Sequence, residues 1–284
     1  MTSAFRAACV QLNAPDELGA GIAAAEEGIR RARDGGAEFI ATPENTPLIE
    51  MRKAEQLAKA QPMESHEAVF AFRDLAKELE AWLSIGSVTV KLEGERLANR
   101  QLLIAPDGAL AATYDKIHMF DVEIPDGQSY RESKLFKPGT EAVLAELPWG
   151  KLGMTICYDV RFPHLYRDLA QAGAEILVVP AAFTRFTGQA HWHVLLRARA
   201  IETGCYVIAA AQCGTHSKDR QTYGHSLIVA PWGEILADGG EEVGVVSAEI
   251  DTAKVAEARR MVPAWGQTPS YSLKTSETLR AAGE

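Results

Sequence analysis

A cysteine at the end of an apolar run is the most chemically suggestive feature of this sequence. In GMTICYDVRFPH, residues 153–164, Cys157 follows a strongly apolar strand pattern and precedes Tyr, Asp and Arg. A thiolate is a nucleophile, and the N-terminus of a helix predicted to begin near Pro163 would favour the thiolate through its partial positive charge. An isolated cysteine is more often a small buried packing residue, so Cys157 needs reactive partners before it counts as a nucleophile.

Two charged residues at similar positions supply such partners. Glu44 ends a strand predicted over residues 38–45, where a carboxylate could act as a general base or acid. Lys116 closes a strand predicted from Ala109, and its ammonium group could stabilise the oxyanion formed when a nucleophile attacks a carbonyl carbon. Alone, each would be interpreted as an exposed surface charge. Ligand sites of α/β proteins gather at the carboxyl ends of strands, which favours the chemical interpretation.

Metal and nucleotide sites have no motif in this sequence. Four scattered cysteines are too few for a disulfide framework or a zinc knuckle, and no H-E-x-x-H or C-x-x-C spacing is present. His191 and His193 lie two residues apart on a predicted helix, so they point to different faces and cannot share a ligand. There is no G-x-S-x-G, P-loop or G-x-G-x-x-G. A histidine partner for Cys157 stays open at three loop positions: His118, His216 and His225.

The elements that would position these residues alternate between short strands and amphipathic helices. Apolar runs such as ILVVPAA suit strands that are covered on both faces. Residues 117–140 lack periodicity, and a long irregular stretch in a compact domain is often functional. About a dozen strands are predicted, and they suit an α/β fold with two sheets between helix layers. The main helices are predicted over residues 16–33, 64–83, 163–172 and 190–203.

Composition narrows the class of protein. The chain has 284 residues, of which 47% are hydrophobic, and no linker or charge run divides it, so one domain over residues 1–284 is predicted. A net charge of −9 argues against nucleic acid or an anionic membrane as a partner. The N-terminus lacks a signal-peptide pattern, and no apolar stretch is long enough to span a bilayer. Together with the cysteine usage, this predicts a reducing cytoplasm.

The three motifs resemble a known family. Glu in ATPEN, Lys in YDKIHMF and Cys in GMTICYDVRFP occur in the order of the Glu–Lys–Cys triad of the nitrilase superfamily of carbon–nitrogen hydrolases. The similarity covers about residues 5–262. It implies an αββα sandwich of two mixed sheets between helix layers, a cysteine nucleophile without a cofactor or metal, and a second glutamate at Glu132 in YRESK. Within the superfamily, TGQAHW and YGHSLIVAPWGE look like the deaminated glutathione amidase branch, next to the omega-amidases.

The resemblance implies amide hydrolysis through a thioester. Glu44 would take the thiol proton as Cys157 attacks the carbonyl carbon, and Lys116 and the Tyr158 backbone N–H would stabilise the oxyanion. Glu132 would orient Lys116 or the amide. Glu44 would then protonate the leaving amine and activate the hydrolytic water.

The same resemblance suggests an anionic small-molecule substrate. Arg161, four residues after the nucleophile, is suited to bind a carboxylate, and an exposed surface arginine is an equally good interpretation from the sequence alone. Phe183 and Thr187 match positions that line the pocket in the branch. The loop at 213–225 carries Lys218 and Arg220, which could meet a second carboxylate or lie in solvent.

Other functions are compatible with the same residues. An omega-amidase would hydrolyse 2-oxoglutaramate through the same acyl group and release ammonia. A nitrilase or an N-carbamoyl hydrolase is less favoured, because the resemblance is to the amidase branch. A scaffold with a silent site is the least favoured, because all three triad residue types are present.

The sequence departs from the family pattern at three places. His164 replaces the glutamate of RFPEL, and His193 replaces that of HWE. The tail at 263–284 lacks an Arg-rich segment, which leaves its role at a subunit contact open.

A homodimer or higher homo-oligomer is expected from the relatives. The helix predicted at 163–172 supports the same expectation, because it would expose Leu165, Tyr166 and Leu169 together. The alternative is that another layer of the same chain covers them.

Overall fold

Two six-stranded mixed sheets form the centre of the molecule in the computed structural model, which describes residues 3–123 and 129–274. The first sheet contains β1 (Ala4–Gln11), β2 (Phe39–Ala41), β3 (Trp82–Lys91), β4 (Leu97–Ile104), β5 (Leu110–Asp115) and β16 (Gly244–Asp251). The second contains β8 (Val143–Leu147), β9 (Gly150–Met154), β10 (Ile176–Val178), β11 (Tyr206–Ala209), β14 (Leu227–Val229) and β15 (Ile235–Asp238). Two hairpins lie outside them: β6 (Asp121–Glu123) with β7 (Ser129–Arg131), and β12 (Cys213–Thr215) with β13 (Gln221–Tyr223).

Each sheet has three parallel strands at its centre and antiparallel strands at its edges. The strand order is β16-β1-β2-β3-β4-β5 in the first sheet and β15-β14-β11-β10-β9-β8 in the second. β1, β2 and β3 run parallel, as do β9, β10 and β11. The carboxyl ends of neighbouring parallel strands lie at one edge of a sheet, so the residues that follow β9 and β10 are brought towards one another.

Helices cover the outer face of each sheet. The described residues contain α1 (Leu18–Asp34), α2 (Lys53–Lys59), α3 (Glu67–Leu79), α4 (Pro163–Gln171), α5 (Arg185–Thr203) and α6 (Ala253–Met261). In β1 the side chains alternate: Ala8 and Val10 pack towards α1 and α3, whereas Ala7 and Cys9 pack in the core that continues to the second sheet. α4 and α5 bury their apolar faces in that same larger core. The predicted αββα sandwich is confirmed.

Several element boundaries differ from the predictions. The helix predicted over 64–83 ends at Leu79, and Trp82 already begins β3. α5 begins at Arg185 rather than near residue 190, because the Thr184 hydroxyl accepts a hydrogen bond from the Thr187 N–H and caps the helix. The stretch 117–140 is less irregular than predicted, since its described part includes the β6–β7 hairpin. None of the helices in the described segments combines the length and apolarity that crossing a bilayer requires.

The expectation that α4 exposes an apolar face is wrong. Leu165, Tyr166 and Leu169 are 5%, 0% and 2% exposed, because this face packs on the second sheet within the same chain. The start of the C-terminal tail also packs against α4, and the Gln171 amide donates to the Trp265 carbonyl at 3.1 Å. The final residues of the predicted tail, 275–284, lie outside the described residues.

Candidate active site

Cys157 lies at the end of β9, in a 3₁₀ turn spanning Cys157–Arg161. Its φ of 48° is in the left-handed region, which non-glycine residues seldom adopt outside functional turns. The conformation is held by a hydrogen bond from the Cys157 N–H to the Pro180 carbonyl, 2.9 Å away in the segment after β10. The side chain lines a cavity while the residue is only 7% exposed.

Asp159 stabilises this turn, a role that the sequence analysis missed. Its carboxylate is fully buried and accepts hydrogen bonds from the Ile156 N–H at 2.8 Å, the Tyr114 hydroxyl at 2.7 Å and the His118 N–H at 3.1 Å. Burial and the neighbouring carboxylate raise the pKa of Tyr114, so its hydroxyl remains a donor. Asp159 thereby fixes the backbone that carries Cys157.

Glu44 lies in the turn after β2 and is 3% exposed. Its Oε1 accepts hydrogen bonds from Lys116 Nζ and Asn99 Nδ2, both at 2.9 Å, and its Oε2 accepts one from the Ala182 N–H at 2.9 Å. The last bond ties the carboxylate of the first sheet to the backbone that follows β10 in the second sheet. The two sheets are therefore joined at the candidate site.

Lys116 follows β5 and is held between two carboxylates. Its Nζ lies 2.9 Å from Glu44 Oε1, 2.9 Å from Glu132 Oε2 and 3.1 Å from Glu132 Oε1. Glu132 lies in the turn after β7, and its Oε2 accepts a further hydrogen bond from the Phe120 N–H at 2.7 Å. The four predicted catalytic residues thus converge from both sheets and from the β6–β7 region.

The protonation states follow from this burial and pairing. Burial alone would raise the pKa of the Glu44 carboxyl, but the Lys116 ammonium and hydrogen bonds from Lys116, Cys157 and Ala182 hold it below its ordinary value. Burial and then the Glu44 charge raise the pKa of the Cys157 thiol well above its ordinary value. Burial would lower the pKa of Lys116, but Glu132 and Glu44 raise it well above normal. At neutral pH the site holds a thiol, a carboxylate and an ammonium group.

Asn99 is a member of this cluster that the sequence analysis missed. It lies on β4, and its Nδ2 donates to Glu44 Oε1 at 2.9 Å and to Glu132 Oε1 at 3.3 Å. Within the described part of the chain, its buried Oδ1 has no hydrogen-bond partner. Arg100 and Gln101 beside it in β4 are also polar, so nothing local in the sequence singles Asn99 out.

The cavity above these residues has a volume of about 220 Å³. Among the predicted binding residues, Tyr158, Phe183 and Thr187 line it. Arg161 is not among the described lining residues. Its guanidinium carbon lies 5.0 Å from the ring centroid of Phe183 and 6.0 Å from that of Tyr158, so it packs behind the aromatic wall. Its Nη1 also lies 3.3 Å from His191 Nδ1.

Arg220 is a second cation in the cavity wall. Its Nη2 donates to the Ala182 carbonyl at 2.9 Å, and its guanidinium carbon lies 5.5 Å from the ring centroid of Tyr130. No carboxylate among the described residues forms an ion pair with it. Arg220 therefore lies in the cavity wall and not in a solvated loop. The side chain of Lys218 lies outside the described residues.

The histidines that the sequence left open occupy other positions. His118 Nδ1 pairs with Asp159 at 2.7 Å, and His216 bonds to the Ala14 carbonyl at 3.0 Å and to the Thr222 hydroxyl at 2.7 Å. His164 is exposed beside the rings of His118 and Phe162. In the described site the Cys157 thiol donates a hydrogen bond to the Glu44 carboxylate.

Comparison with known proteins decides the family. The family described as carbon-nitrogen hydrolase matches residues 6–260. This chain belongs to that family. The carbon-nitrogen hydrolase described here is 41% identical over 263 residues to the deaminated glutathione amidase of Synechocystis sp., covering 91% of this chain and 96% of that one. It is 42% identical over 240 residues to the deaminated glutathione amidase of Homo sapiens, covering 83% and 73% of the two chains.

The fold is also similar to that of a solved structure. The crystal structure of the Caenorhabditis elegans NitFhit protein aligns with this carbon-nitrogen hydrolase with a TM-score of 0.88 and 40% identity. The alignment covers 94% of this chain and 65% of that one, so this chain spans just under two thirds of the fusion protein. The predicted nitrilase-superfamily membership is confirmed, and the protein is an amidohydrolase.

Proposed function

We propose that this carbon-nitrogen hydrolase converts deaminated glutathione to 2-oxoglutarate and Cys-Gly through a thioester on Cys157. The observation that carries the proposal is the meeting of a buried thiol, a buried ionised carboxylate and a buried ammonium group at one cavity. The substrate is suggested by the relatives named deaminated glutathione amidase, which are 41% and 42% identical to this chain.

In the proposed acylation, the Glu44 carboxylate takes the proton from Cys157 Sγ as the sulfur attacks the amide carbon. The carbonyl oxygen becomes an oxyanion, which the Lys116 ammonium and the backbone N–H of Tyr158 stabilise. The Tyr158 N–H is suited to this role because the first N–H groups of a helical turn have no partner within the turn. Glu44 then gives its proton to the amine nitrogen, the C–N bond breaks, and the amine leaves. Cys157 holds the acyl group as a thioester.

Deacylation reverses these roles with water. The Glu44 carboxylate removes a proton from a water molecule, and the resulting hydroxide attacks the thioester carbon. Collapse of the second oxyanion breaks the C–S bond, and the proton on Glu44 returns to the Cys157 sulfur. Glu132 and Asn99 are positioning residues in this scheme, because they hold Lys116 and Glu44 through the hydrogen bonds described above.

Two arginines would recognise the two ends of the substrate. The 2-oxo acid end is common to deaminated glutathione and 2-oxoglutaramate, and we propose that Arg161, behind Phe183 and Tyr158, attracts its carboxylate. The carboxylate of the Cys-Gly end is present only in deaminated glutathione. We assign it to Arg220, which lines the cavity and is bound to the same residue, Ala182, as Glu44.

Side-by-side assays of the two amides test this proposal. We expect kcat/KM for deaminated glutathione to exceed that for 2-oxoglutaramate by at least about tenfold, or ~1.4 kcal/mol in transition-state binding. Arg220→Met should reduce this preference, because only the longer amide presents the second carboxylate. Arg161→Met should raise KM for both amides alike. A preference for 2-oxoglutaramate would instead make the protein an omega-amidase, the strongest alternative.

We also propose a homo-oligomer, joined through the outer face of α5. Val194 and Ile201 lie seven residues apart on one face of this helix and are 68% and 57% exposed. Ile201 adjoins the turn that carries Trp232, which is 52% exposed. A contiguous apolar surface of this kind is typical of a subunit contact. A part for residues 263–284 in that contact stays a prediction.

Light scattering tests the assembly at micromolar concentration. We expect at least twice the subunit mass of 30.8 kDa for the natural sequence and about 31 kDa for Ile201→Glu. Leu110→Glu is the matched control, since Leu110 is 37% exposed but lies on β5 of the other sheet, and it should leave the mass unchanged. A single-subunit mass for the natural sequence would refute the proposal.

We propose one catalytic domain over residues 1–284, because the first and last strands of the described chain, β1 and β16, pair with each other along eight residues each. We propose a reducing cytoplasmic setting, because the mechanism needs a free thiol and all four cysteines are unpaired.

A further inference from the structure

Two histidines and an aspartate converge outside the catalytic cavity. His193 lies on α5, His225 lies between β13 and β14, and Asp238 ends β15. Each offers one ligand atom, and these atoms lie within 4.8 Å of one another. His193 is also the position at which the sequence departs from the HWE pattern, and the catalytic scheme gives it no role.

The spacing of the ligand atoms suits a small metal ion. The two histidines contact different oxygens of the Asp238 carboxylate: His193 Nε2 lies 3.1 Å from Oδ2, and His225 Nδ1 lies 2.8 Å from Oδ1. The one ligand atom that each residue offers lies within 4.8 Å of the other two. Zinc bonds of about 2.0–2.1 Å in a tetrahedral site place ligand atoms roughly 3.4 Å apart. We propose that His193, His225 and Asp238 form a binding site for a divalent transition-metal ion of the zinc class, with water as the fourth ligand.

The backbone around two of the ligands is already fixed. His225 has a φ of 56°, in the left-handed region, and its N–H donates to the Gly240 carbonyl at 2.6 Å. Its carbonyl accepts a hydrogen bond from Trp192 Nε1 at 2.8 Å, and Asp238 Oδ1 accepts one from the Gly240 N–H at 2.9 Å. Such outer contacts orient metal ligands and reduce the cost of assembling them.

Access and ligand type favour the same class of ion. The side chains of His193, His225 and Asp238 are 29%, 20% and 34% exposed, which leaves a path for the ion. Two imidazole ligands select zinc-class ions over Mg²⁺ and Ca²⁺, which prefer oxygen ligands.

Zinc titration by calorimetry tests the site in the full-length Cys157→Ser protein, which lacks the thiol of the catalytic cavity as a competing ligand. We expect one Zn²⁺ per chain, weakened at least about tenfold by His193→Gln and by Asp238→Asn. The matched control, His191→Gln, changes a histidine on the same helix outside the cluster and should leave the affinity unchanged.

Thermal unfolding in the same proteins provides a second readout. Zinc should raise the Tm of Cys157→Ser and of its His191→Gln variant, and it should not raise the Tm of the His193→Gln variant. Circular dichroism is used to check that each variant folds, and Asp238→Asn is used in place of His193→Gln if that variant does not fold. Absence of zinc binding to Cys157→Ser, or equal binding after His193→Gln and Asp238→Asn, would show that the cluster is only a hydrogen-bonded brace between α5 and β15.

Discussion

Cys157→Ala should abolish amide turnover, with a loss of at least about 10⁴-fold in kcat, because removal of a nucleophile leaves only binding and oxyanion stabilisation. The cysteine lies at the floor of the cavity beside Glu44, and no other described residue offers a thiol there. Steady-state assays with deaminated glutathione measure the effect. The fold should survive, since alanine is smaller than cysteine and the turn is braced by Asp159.

Cys205→Ala is the matched control for this substitution. Cys205 is also fully buried, but its Sγ contacts the Ala174 carbonyl at 3.2 Å and Arg259 at 3.2 Å, away from the cavity. We expect its kcat to change by less than about twofold, with any cost appearing in stability instead. Equal losses of kcat from both variants would show that Cys157 is not the nucleophile.

Labelling by iodoacetamide, itself an amide, is a second test of Cys157. The reagent should label Cys157 before the other cysteines, and an inert Cys157 would favour the scaffold alternative.

Glu44→Gln should lower kcat by at least about 10³-fold, because the amide keeps the shape of the side chain and removes the proton acceptor. Glu50→Gln is the matched control. Glu50 also lines the cavity and is 4% exposed, but it pairs with Arg52 at 3.0 Å and Lys59 at 2.9 Å. We expect a far smaller loss of kcat there. Equal losses would mean that cavity charge, rather than a general base, supports turnover.

The pH dependence of kcat/KM also distinguishes a general-base role of Glu44 from an effect of cavity charge. A lowered pKa of Glu44 means that the base stays ionised as the pH falls towards about 4.5, so kcat/KM of the natural sequence should be flat around neutrality and decrease only in acid. In Glu44→Gln the residual rate should rise with pH, because it then depends on ionisation of the Cys157 thiol. A natural-sequence profile that rises steadily through pH 7–9 would contradict Glu44 as the base.

Sequence motifs at strand ends predicted residues that lie together in the structure, but the sequence did not reveal Asn99, whose contacts join distant parts of the chain. Glu44, Lys116 and Cys157 follow β2, β5 and β9, so strand-end positions and the family resemblance brought them together before any geometry was known. Asn99 lies within β4, and nothing local marks it. Its importance comes from two carboxylates that are 55 and 33 residues away in the chain.

The predicted exposure of the apolar face of α4 was wrong because it also depends on contacts between distant parts of the chain. A helix pattern shows which side chains share a face, but it does not show which layer will cover that face. α4 therefore looked exposed at Leu165, Tyr166 and Leu169, although the second sheet buries them. Arg161 and Arg220 show the same limit: only the folded chain places Arg220 in the cavity wall and Arg161 behind it.

The pairing of Lys116 with two carboxylates has a consequence for chemical selectivity. A buried lysine commonly loses its proton, and the free amine then condenses with ketones to form an imine. The proposed substrate carries a 2-oxo group and would be trapped by such an amine. Because Glu132 and Glu44 keep the Lys116 nitrogen protonated, it has no lone pair to attack the ketone. The cavity can therefore hold a keto acid beside a lysine while only sulfur forms a covalent bond.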